Sequence, residues 1–190
     1  MLADPTSPTA LPIAAAAGDL NSKASPLEEE VVGLFDQFRD PLLRYLFGFG
    51  LAMADGEEVV QEVFLALFQH LQRGKSRANL RGWVFRVAHN LALKRRHQAR
   101  RSPEVGSESG TEEWAMDPSP NPEARLVNSQ TQERLLAVLR ALPEPARMCL
   151  SLRAEGLRYR EIAQVLGMSL GAVSLSLARS LARLARASER

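Results

Sequence analysis

The stretch from Arg158 to Arg186 constrains the fold more than any other part of the chain, because it fits two short helices joined by a tight turn. Gly167 interrupts the apolar pattern and tolerates the positive φ that such a turn needs. Ala163 is small enough for two helices to approach, and Val173 can pack the second helix on the first. These spacings predict a helix-turn-helix, with Ser169 capping the second helix. The apolar stripe predicted for that helix comprises Leu170, Val173, Leu177, Leu181 and Leu184.

The composition favours an all-α fold, because aromatic residues make up only 6% of the 190 residues while Ala, Leu and Arg abound. The chain has one cysteine, Cys149, so an internal disulfide is impossible and a reducing cytoplasm is the expected compartment. We expect Cys149 to be a small buried apolar residue. The sequence contains neither a secretory signal pattern nor an apolar run of about 20 residues, so no membrane insertion is expected.

The charges are strongly segregated, although the net charge is only +2. Residues 27–74 hold nine acidic and three basic side chains, and residues 75–101 hold nine basic side chains and no acid. Residues 102–123 are again acidic, and residues 124–190 are basic overall. Such blocks predict one acidic surface that faces a protein and two basic surfaces that face a polyanion.

The pattern divides the chain into four parts. Residues 1–24 are rich in Pro, Ala, Ser and Thr without periodicity, which predicts a disordered tail. Residues 25–101 and 122–190 are two small helical domains, called here the first and second modules. Residues 102–121 are acidic and rich in Ser, Gly and Pro, as is typical of a flexible linker.

Three helices are predicted in the first module. Ser25 and Glu28 form a capping-box pattern at the start of the first helix, and Asp40-Pro41 predicts a break or kink in it. The second helix is expected to start at Asp55, with a further capping pattern, and the third runs from about Asn79 to Arg101. Five cations between Lys94 and Arg101 exceed what a helix terminus requires, which favours a phosphate-binding role.

An enzyme is not expected. The sequence has no glycine-rich phosphate loop, no nucleophile paired with a base, and no cluster of metal ligands, so no cofactor or metal is predicted. His89 and His97 have no nearby Cys or acidic cluster that would complete a metal site.

Three stretches together resemble the extracytoplasmic-function type of bacterial sigma factor. They are ADGEEVVQEVFLALF (residues 54–68), LRGWVFRVAHNLALKRRHQARR (residues 80–101) and the helix-turn-helix with the helix before it (residues 139–184). The resemblance implies a non-enzymatic factor that binds core RNA polymerase and promoter DNA, with an anti-sigma factor as a further candidate partner. It implies that the first stretch docks on polymerase, the second recognises the −10 element, and the third recognises the −35 element.

The resemblance also implies site residues. The polymerase contact would comprise Asp55, Glu57, Glu58, Gln61, Glu62 and Phe64. The −10 contact would comprise Arg81, Trp83, Arg86, Asn90, Lys94, Arg95 and Arg96, although Trp83 also fits a core position. The −35 contact would comprise Arg158, Tyr159, Arg160, Ser169, Gly171, Ala172, Ser174, Leu175 and Arg179.

The sequence departs from the family pattern at two places. Ser174, Leu175 and Ser176 stand where the family usually carries basic side chains, and Leu93-Lys94 replaces a typical acid. We therefore expect a −35 module that binds weakly or depends on a partner. Two alternatives remain: a stand-alone helix-turn-helix regulator, which leaves the acidic stretch after Asp55 unexplained, and a sigma-like protein that sequesters an anti-sigma partner.

Overall fold

The computed structural model describes residues 25–101 and 122–188, and every regular element within them is a helix, as predicted. The helices are α1 (Pro26–Gly48), α2 (Met53–Gln72), α3 (Leu80–Arg101), α4 (Pro122–Arg140), α5 (Glu144–Ala154), α6 (Tyr159–Leu166) and α7 (Leu170–Ser188). The predicted disordered tail and acidic linker lie outside the described residues. The first module therefore contains α1 to α3, and the second contains α4 to α7.

Helix α1 starts as predicted and continues past the predicted break. The amide of Glu28 donates to Ser25 Oγ at 3.2 Å, and the amide of Ser25 donates to Glu28 Oε2 at 2.7 Å, which completes the capping box. Asp40-Pro41 does not interrupt the helix, which runs unbroken to Gly48. Pro41 removes one backbone donor, but Leu42 and Leu46 carry the buried face past it, each with 0% exposure.

Helix α2 begins earlier than predicted. Its first residue is Met53, and the N-cap position is held by Ala52 without any side-chain hydrogen bond. The predicted cap, Asp55, instead lies in the first turn, where its carboxylate suits the positive end of the helix dipole. The amide of Gly56 bonds to the carbonyl of Ala52 at 2.9 Å, so the helix closes its first turn before Asp55 could cap it.

The core of the first module lies between α2 and its two neighbours, α1 and α3. Apolar residues of α2 at helical spacing have 0% exposure at Val59, Val63 and Leu67. Facing them, α3 contributes fully buried residues at Val84, Phe85, Ala88 and Ala92. Because this stripe follows one face of each helix, the opposite faces of α2 and α3 are left for solvent or a partner.

The second module contains the predicted helix-turn-helix, formed by α6 and α7. Gly167 adopts φ 63° at the end of α6, and the amide of Ala172 donates to Ser169 Oγ at 3.1 Å at the start of α7. Val173 has 0% exposure and packs the second helix on the first, as predicted. The turn, its glycine and its cap therefore all lie where the residue spacing predicts them.

The buried stripe of α7 is narrower than predicted. Leu170 and Leu181 are 46% and 51% exposed, whereas Val173, Leu177 and Ser180 are buried. At about 100° per residue, Leu170 and Leu181 lie about 60° and 80° to one side of Val173, so both fall at the edge of the packed face.

The two modules pack against each other through α1 with α5 and α3 with α6. Arg44 on α1 reaches Glu155, which follows α5, with Nε–Oε1 at 2.9 Å and Nη2–Oε2 at 3.0 Å. Buried residues of both modules belong to one continuous apolar cluster. In this arrangement the first module, with the predicted polymerase and −10 contacts, lies against the second module, with the predicted −35 contact.

No single helix in residues 25–101 and 122–188 is long and apolar enough to cross a membrane. The pair α6 and α7 meets the length and composition criteria jointly, but its two helices are bent by 107°.

Candidate functional site

Three of the predicted −10 residues form an exposed line along α3. Arg86, Asn90 and Lys94 are spaced four residues apart, which places them on one face of the helix, and each is exposed. Arg86 and Lys94 therefore lie one turn to either side of Asn90 along this face. The face can therefore follow a phosphate backbone and donate to an unpaired base.

The start of α3 is fixed by Asn79. Its side chain accepts a hydrogen bond from the amide of Gly82 at 3.1 Å, and its backbone adopts φ 56°. A Cβ on Gly82 would lie 2.6 Å from the Asn79 side chain, so a larger residue here would displace the capping side chain. The cap fixes where the basic helix α3 begins within the first module.

Arg81, at this end of α3, is bound to the second module. Its Nη1 donates to the backbone carbonyl of Glu155 at 2.7 Å, and its guanidinium lies 5.6 Å from the ring centroid of Phe38. In this arrangement Arg81 therefore serves a contact between the modules and is only partly exposed.

Trp83 packs mainly inside the first module. Its ring centroid lies 4.8 Å from that of His70, whose Nε2 is 3.0 Å from the carbonyl of Ser76. The indole is partly buried, in agreement with the core position that its spacing allowed. A stacking surface for an unpaired base is therefore limited to the exposed part of the ring.

Arg95 is paired with two acidic residues of α2. Its Nη1 donates to Glu58 Oε2 at 2.7 Å and its Nη2 donates to Glu62 Oε1 at 2.5 Å. The hydrogen bond from Arg95 lowers the pKa of Glu58, and the bonds from Glu58 and Glu62 raise the pKa of Arg95. A predicted −10 residue and two predicted polymerase contacts are thus bound to one another.

Arg96 is paired across the modules. Its guanidinium donates to Glu144, the first residue of α5, and lies 4.3 Å from the ring centroid of Phe49. The hydrogen bond from Arg96 lowers the pKa of the Glu144 carboxyl. Sequence reasoning did not single out Glu144 or Glu155, because nothing local to either residue indicates that the other module's cations lie against it.

The acidic face of α2 remains largely accessible. Glu57, Glu58 and Gln61 are exposed, and Glu57 also pairs with Arg39 of α1 at 3.2 Å. Leu65, one turn beyond Gln61, is 61% exposed, so this face also carries one apolar side chain that sequence reasoning missed.

The assignment of Phe64 to the exposed polymerase contact does not fit its position. Its side chain is 6% exposed, and its ring centroid lies 4.9 Å from that of Phe35 in an edge-to-face contact. Because Phe64 shares the face of Val60 and Val63, its aromatic ring belongs to the core, and it can affect the acidic face only by positioning α2.

The N-terminal half of α7, together with its cap Ser169, presents all of its predicted −35 residues to solvent. Exposed side chains or backbone occur at Ser169, Gly171, Ala172, Ser174, Leu175 and Arg179. Leu175 is 50% exposed, so this face carries an apolar residue where a cation was expected from the family pattern. The face can enter a major groove, but it offers few charges for phosphate contacts.

The remaining predicted −35 residues line a groove of about 620 Å³ beside the helix-turn-helix. Arg158, Tyr159 and Arg160 border it from α6 and its start, together with Ser174 of α7. Asn79 of the first module closes the other side of this groove. The groove therefore spans both modules in this arrangement.

Two buried side chains complete the polar interior near the module boundary. Tyr45 Oη lies 2.8 Å from Nδ1 of His89, which is 8% exposed. Burial, with a smaller effect of Arg96, lowers the pKa of His89, and burial raises the pKa of Tyr45. Within the described residues no group of three His, Cys, Asp or Glu side chains is arranged to hold a metal ion.

Cys149 is buried with 0% exposure, as predicted, and its Sγ lies 4.0 Å from Met168 Sδ. Burial raises the pKa of its thiol, so the reactive thiolate is disfavoured.

Two segments of this chain match two regions of one protein family. Residues 34–102 match the family described as Sigma-70 region 2, and residues 132–184 match the family described as Sigma-70, region 4. The first match covers the helices that carry the acidic and basic faces, and the second covers the helix-turn-helix.

Several proteins with similar sequences are named as RNA polymerase sigma factors. The ECF RNA polymerase sigma factor SigE of Mycolicibacterium smegmatis is 31% identical over 169 residues, which is 87% of this chain and 62% of SigE. The RNA polymerase sigma factor YlaC of Bacillus subtilis is 26% identical over 80% of this chain and 88% of YlaC. The probable RNA polymerase sigma factor RfaY of Xanthomonas campestris is 31% identical over 68% of this chain, which spans only 33% of RfaY.

Solved structures share the fold. CnrH, solved in complex with the cytosolic domain of CnrY, aligns with TM-score 0.54 and 24% identity over 83% of this chain and 86% of CnrH. RpoE of Bartonella quintana, solved in complex with the anti-sigma factor NepR, aligns with TM-score 0.56 and 17% identity over 85% of this chain and 98% of RpoE.

Proposed function

Because the chain belongs to the extracytoplasmic-function type of the sigma-70 family, we propose that it binds core RNA polymerase and directs promoter-specific transcription initiation. The observation that carries the proposal is the placement of two complementary faces on one module. The acidic face of α2 suits a basic protein surface, and the line Arg86–Asn90–Lys94 on α3 suits DNA. In this function the chain supplies specificity, and polymerase supplies the chemistry.

The proposed −10 contact binds an opened strand. Arg86 and Lys94 neutralise phosphates, while Asn90 between them donates to an exposed base. Arg81 and Arg96 are bound to Glu155 and Glu144, so they join this contact only when the second module moves away.

The proposed −35 contact uses the exposed N-terminal half of α7 in a major groove. Ser174 and Ser176 provide no positive charge, so this contact has a small electrostatic component and depends on tethering to polymerase. Tethering raises the effective concentration of a weak second site.

An anti-sigma factor is the further proposed partner. CnrH and RpoE were both solved with a protein partner, and the partner of RpoE is named an anti-sigma factor. On this chain, Leu170 and Leu181 lie on one side of α7 and are 46% and 51% exposed, which supports a protein contact on that side of the helix.

Promoter opening by reconstituted polymerase tests the proposed function. The unaltered chain with core polymerase is expected to make thymines near −10 reactive to permanganate, and the variant R86Q/K94Q is expected to reduce that reactivity. The matched control, R73Q/R134Q, removes two exposed cations outside the contact and should leave it unchanged. Equal loss in both variants, or no opening by the unaltered chain, would contradict the proposal.

A further inference from the structure

One guanidinium joins the two proposed contact surfaces of the first module. Arg95 extends from the basic helix α3 to Glu58 and Glu62, which lie one turn apart on α2. Both terminal nitrogens of Arg95 are engaged. Nη1 donates to Glu58 Oε2, and Nη2 lies 2.5 Å from Glu62 Oε1 and 2.7 Å from Glu58 Oε1. The neighbouring Lys94 instead points to solvent.

The geometry makes these contacts mutually exclusive with a full phosphate contact. A guanidinium binds an oxyanion best through two parallel N–H donors, and in Arg95 those donors already face carboxylates. Arg95 with Glu58 and Glu62 has a net charge of −1, so the paired cluster adds no positive charge beside Lys94. Arg95 can therefore serve DNA only after Glu58 and Glu62 have found other partners.

The exposure of the three side chains indicates which partner can replace Arg95. The side chains of Glu58 and Glu62 are 56% and 41% exposed, whereas that of Arg95 is 25% exposed. Both oxygens of Glu58 and Oε1 of Glu62 lie against Arg95, but the two carboxylate side chains are more exposed to solvent than the guanidinium that they bind. A partner with its own Lys or Arg side chains can bind these oxygens from outside and displace Arg95.

We propose that Arg95 couples the two surfaces: a basic surface of core polymerase takes Glu58 and Glu62, and the released guanidinium then binds the backbone of the −10 strand. This inference rests on the proposed function for the identity of the basic partner. It makes polymerase binding strengthen DNA binding at this residue, and reciprocity requires DNA to strengthen polymerase binding by the same factor.

The first test mimics the effect of polymerase by removing the negative charges of Glu58 and Glu62. Four full-length chains are compared: unaltered, E58Q/E62Q, R95Q, and the triple variant. Their binding to a fluorescent oligothymidylate is measured by anisotropy over a range of salt concentrations. E58Q/E62Q is expected to bind about two- to fivefold more tightly, as for loss of an exposed ion-pair competitor. Its slope of log affinity against log salt should steepen by about 0.7, the value for one more phosphate contact on a single strand.

The R95Q background separates a released arginine from a general change in charge. Adding E58Q/E62Q to R95Q should leave the salt slope unchanged, because no guanidinium remains to be released. The charge control E29Q/D36N alters two exposed acids of α1 and should not steepen the slope either. An equal steepening with and without Arg95, an equal steepening in the control, or no binding by any chain would overturn the proposal.

The second test measures core polymerase affinity of the unaltered chain and R95Q. If Arg95 competes with polymerase for the carboxylates, R95Q binds core at least as tightly as the unaltered chain. Weaker binding by R95Q with unchanged helix content would mean that Arg95 only positions α2, and would overturn the coupling. If the unaltered chain does not bind core at all, the proposed function fails, whereas the oligothymidylate result still decides whether Glu58 and Glu62 restrain Arg95.

Discussion

Arg44 and Glu155 join the two modules through a two-pronged ion pair, with donor–acceptor distances of 2.9 and 3.0 Å. The Glu155 side chain is only 13% exposed, and the carbonyl of the same residue accepts from Arg81. Both groups of Glu155 are therefore satisfied by the first module, at the boundary where α1 meets α5.

The variant R44Q is expected to loosen the packing of the modules, because it leaves a largely buried carboxylate without its charged partner. We expect a loss of about 1 kcal/mol from the packed arrangement, the upper end for a partly exposed ion pair. Small-angle X-ray scattering should give a larger radius of gyration for R44Q than for the unaltered chain.

The matched control for this prediction is R77Q. Arg77 makes an equally two-pronged pair with Glu30, at 3.0 Å for both Nε–Oε1 and Nη2–Oε2, but entirely within the first module. The variant R77Q should therefore leave the radius of gyration unchanged. A radius that is unchanged in R44Q, or increased equally in both variants, would show that Arg44 does not hold the modules together.

The buried His89 predicts a loss of stability in mild acid. Its pKa is lowered in the folded chain, chiefly by burial, so the unfolded chain binds the proton more readily. The stability it contributes is full above the unfolded pKa of about 6.5 and declines as the pH falls towards the lowered folded value. Urea unfolding at pH 7.5 and 5.5 should give a lower midpoint in acid.

Two histidine variants isolate this effect. H89Q removes the titrating group and should reduce the difference in urea midpoint between pH 7.5 and pH 5.5. It lowers stability overall, because Tyr45 Oη loses its partner. H97Q alters an exposed histidine on the same helix and should retain the full difference. If H89Q and the unaltered chain lose the same stability in acid, His89 is not the responsible group.

The sequence predicted local features better than contacts between distant segments. The turn glycine at Gly167, the cap at Ser25 and the core position of Val173 depend on neighbours within a few residues, and all were predicted correctly. The start of α2 was misplaced because the backbone closes a turn at Ala52 without a side-chain cap. Periodicity alone could not decide whether Leu181 lies inside the packed face or at its edge.

The ion pairs of the candidate site could not be predicted from the sequence, because their partners are far apart along the chain. Both partners of Arg95 and the partner of Arg96 were visible as charges, but each lies at least 33 residues away along the chain. Charge segregation predicted that the acidic and basic segments would have separate partners. The fold instead places acidic side chains of α2 and α5 beside cations of α3, so part of that charge is neutralised within the chain.

The backbone at Gly167 predicts a stability difference between two glycines. Gly167→Ala is expected to destabilise the second module by about 1 kcal/mol, because φ 63° is costly for any residue with a Cβ. Gly33→Ala, in open space in the middle of α1, should instead stabilise by about 0.5–1 kcal/mol. Urea midpoints check both signs, and a neutral Gly167→Ala would contradict the left-handed conformation at the turn.

Adding one cation to α7 should strengthen the proposed −35 contact. Ser174→Arg places a guanidinium on the exposed face, so binding to promoter duplex should gain about 0.9 in the slope against log salt. Gln132→Arg adds the same charge at an exposed position of α4 and should change the slope less. Equal gains in the two variants would mean that α7 does not lie in the groove.

Run-off transcription with core polymerase tests the central claim most directly. Core enzyme, the full-length chain and a library of genomic promoter fragments are combined, and transcripts are mapped by their 5′ ends. We predict discrete start sites that require the chain and share sequence elements near −10 and −35. If the chain binds core polymerase and yet no fragment yields a chain-dependent transcript, the chain does not direct initiation, and the proposed function is wrong.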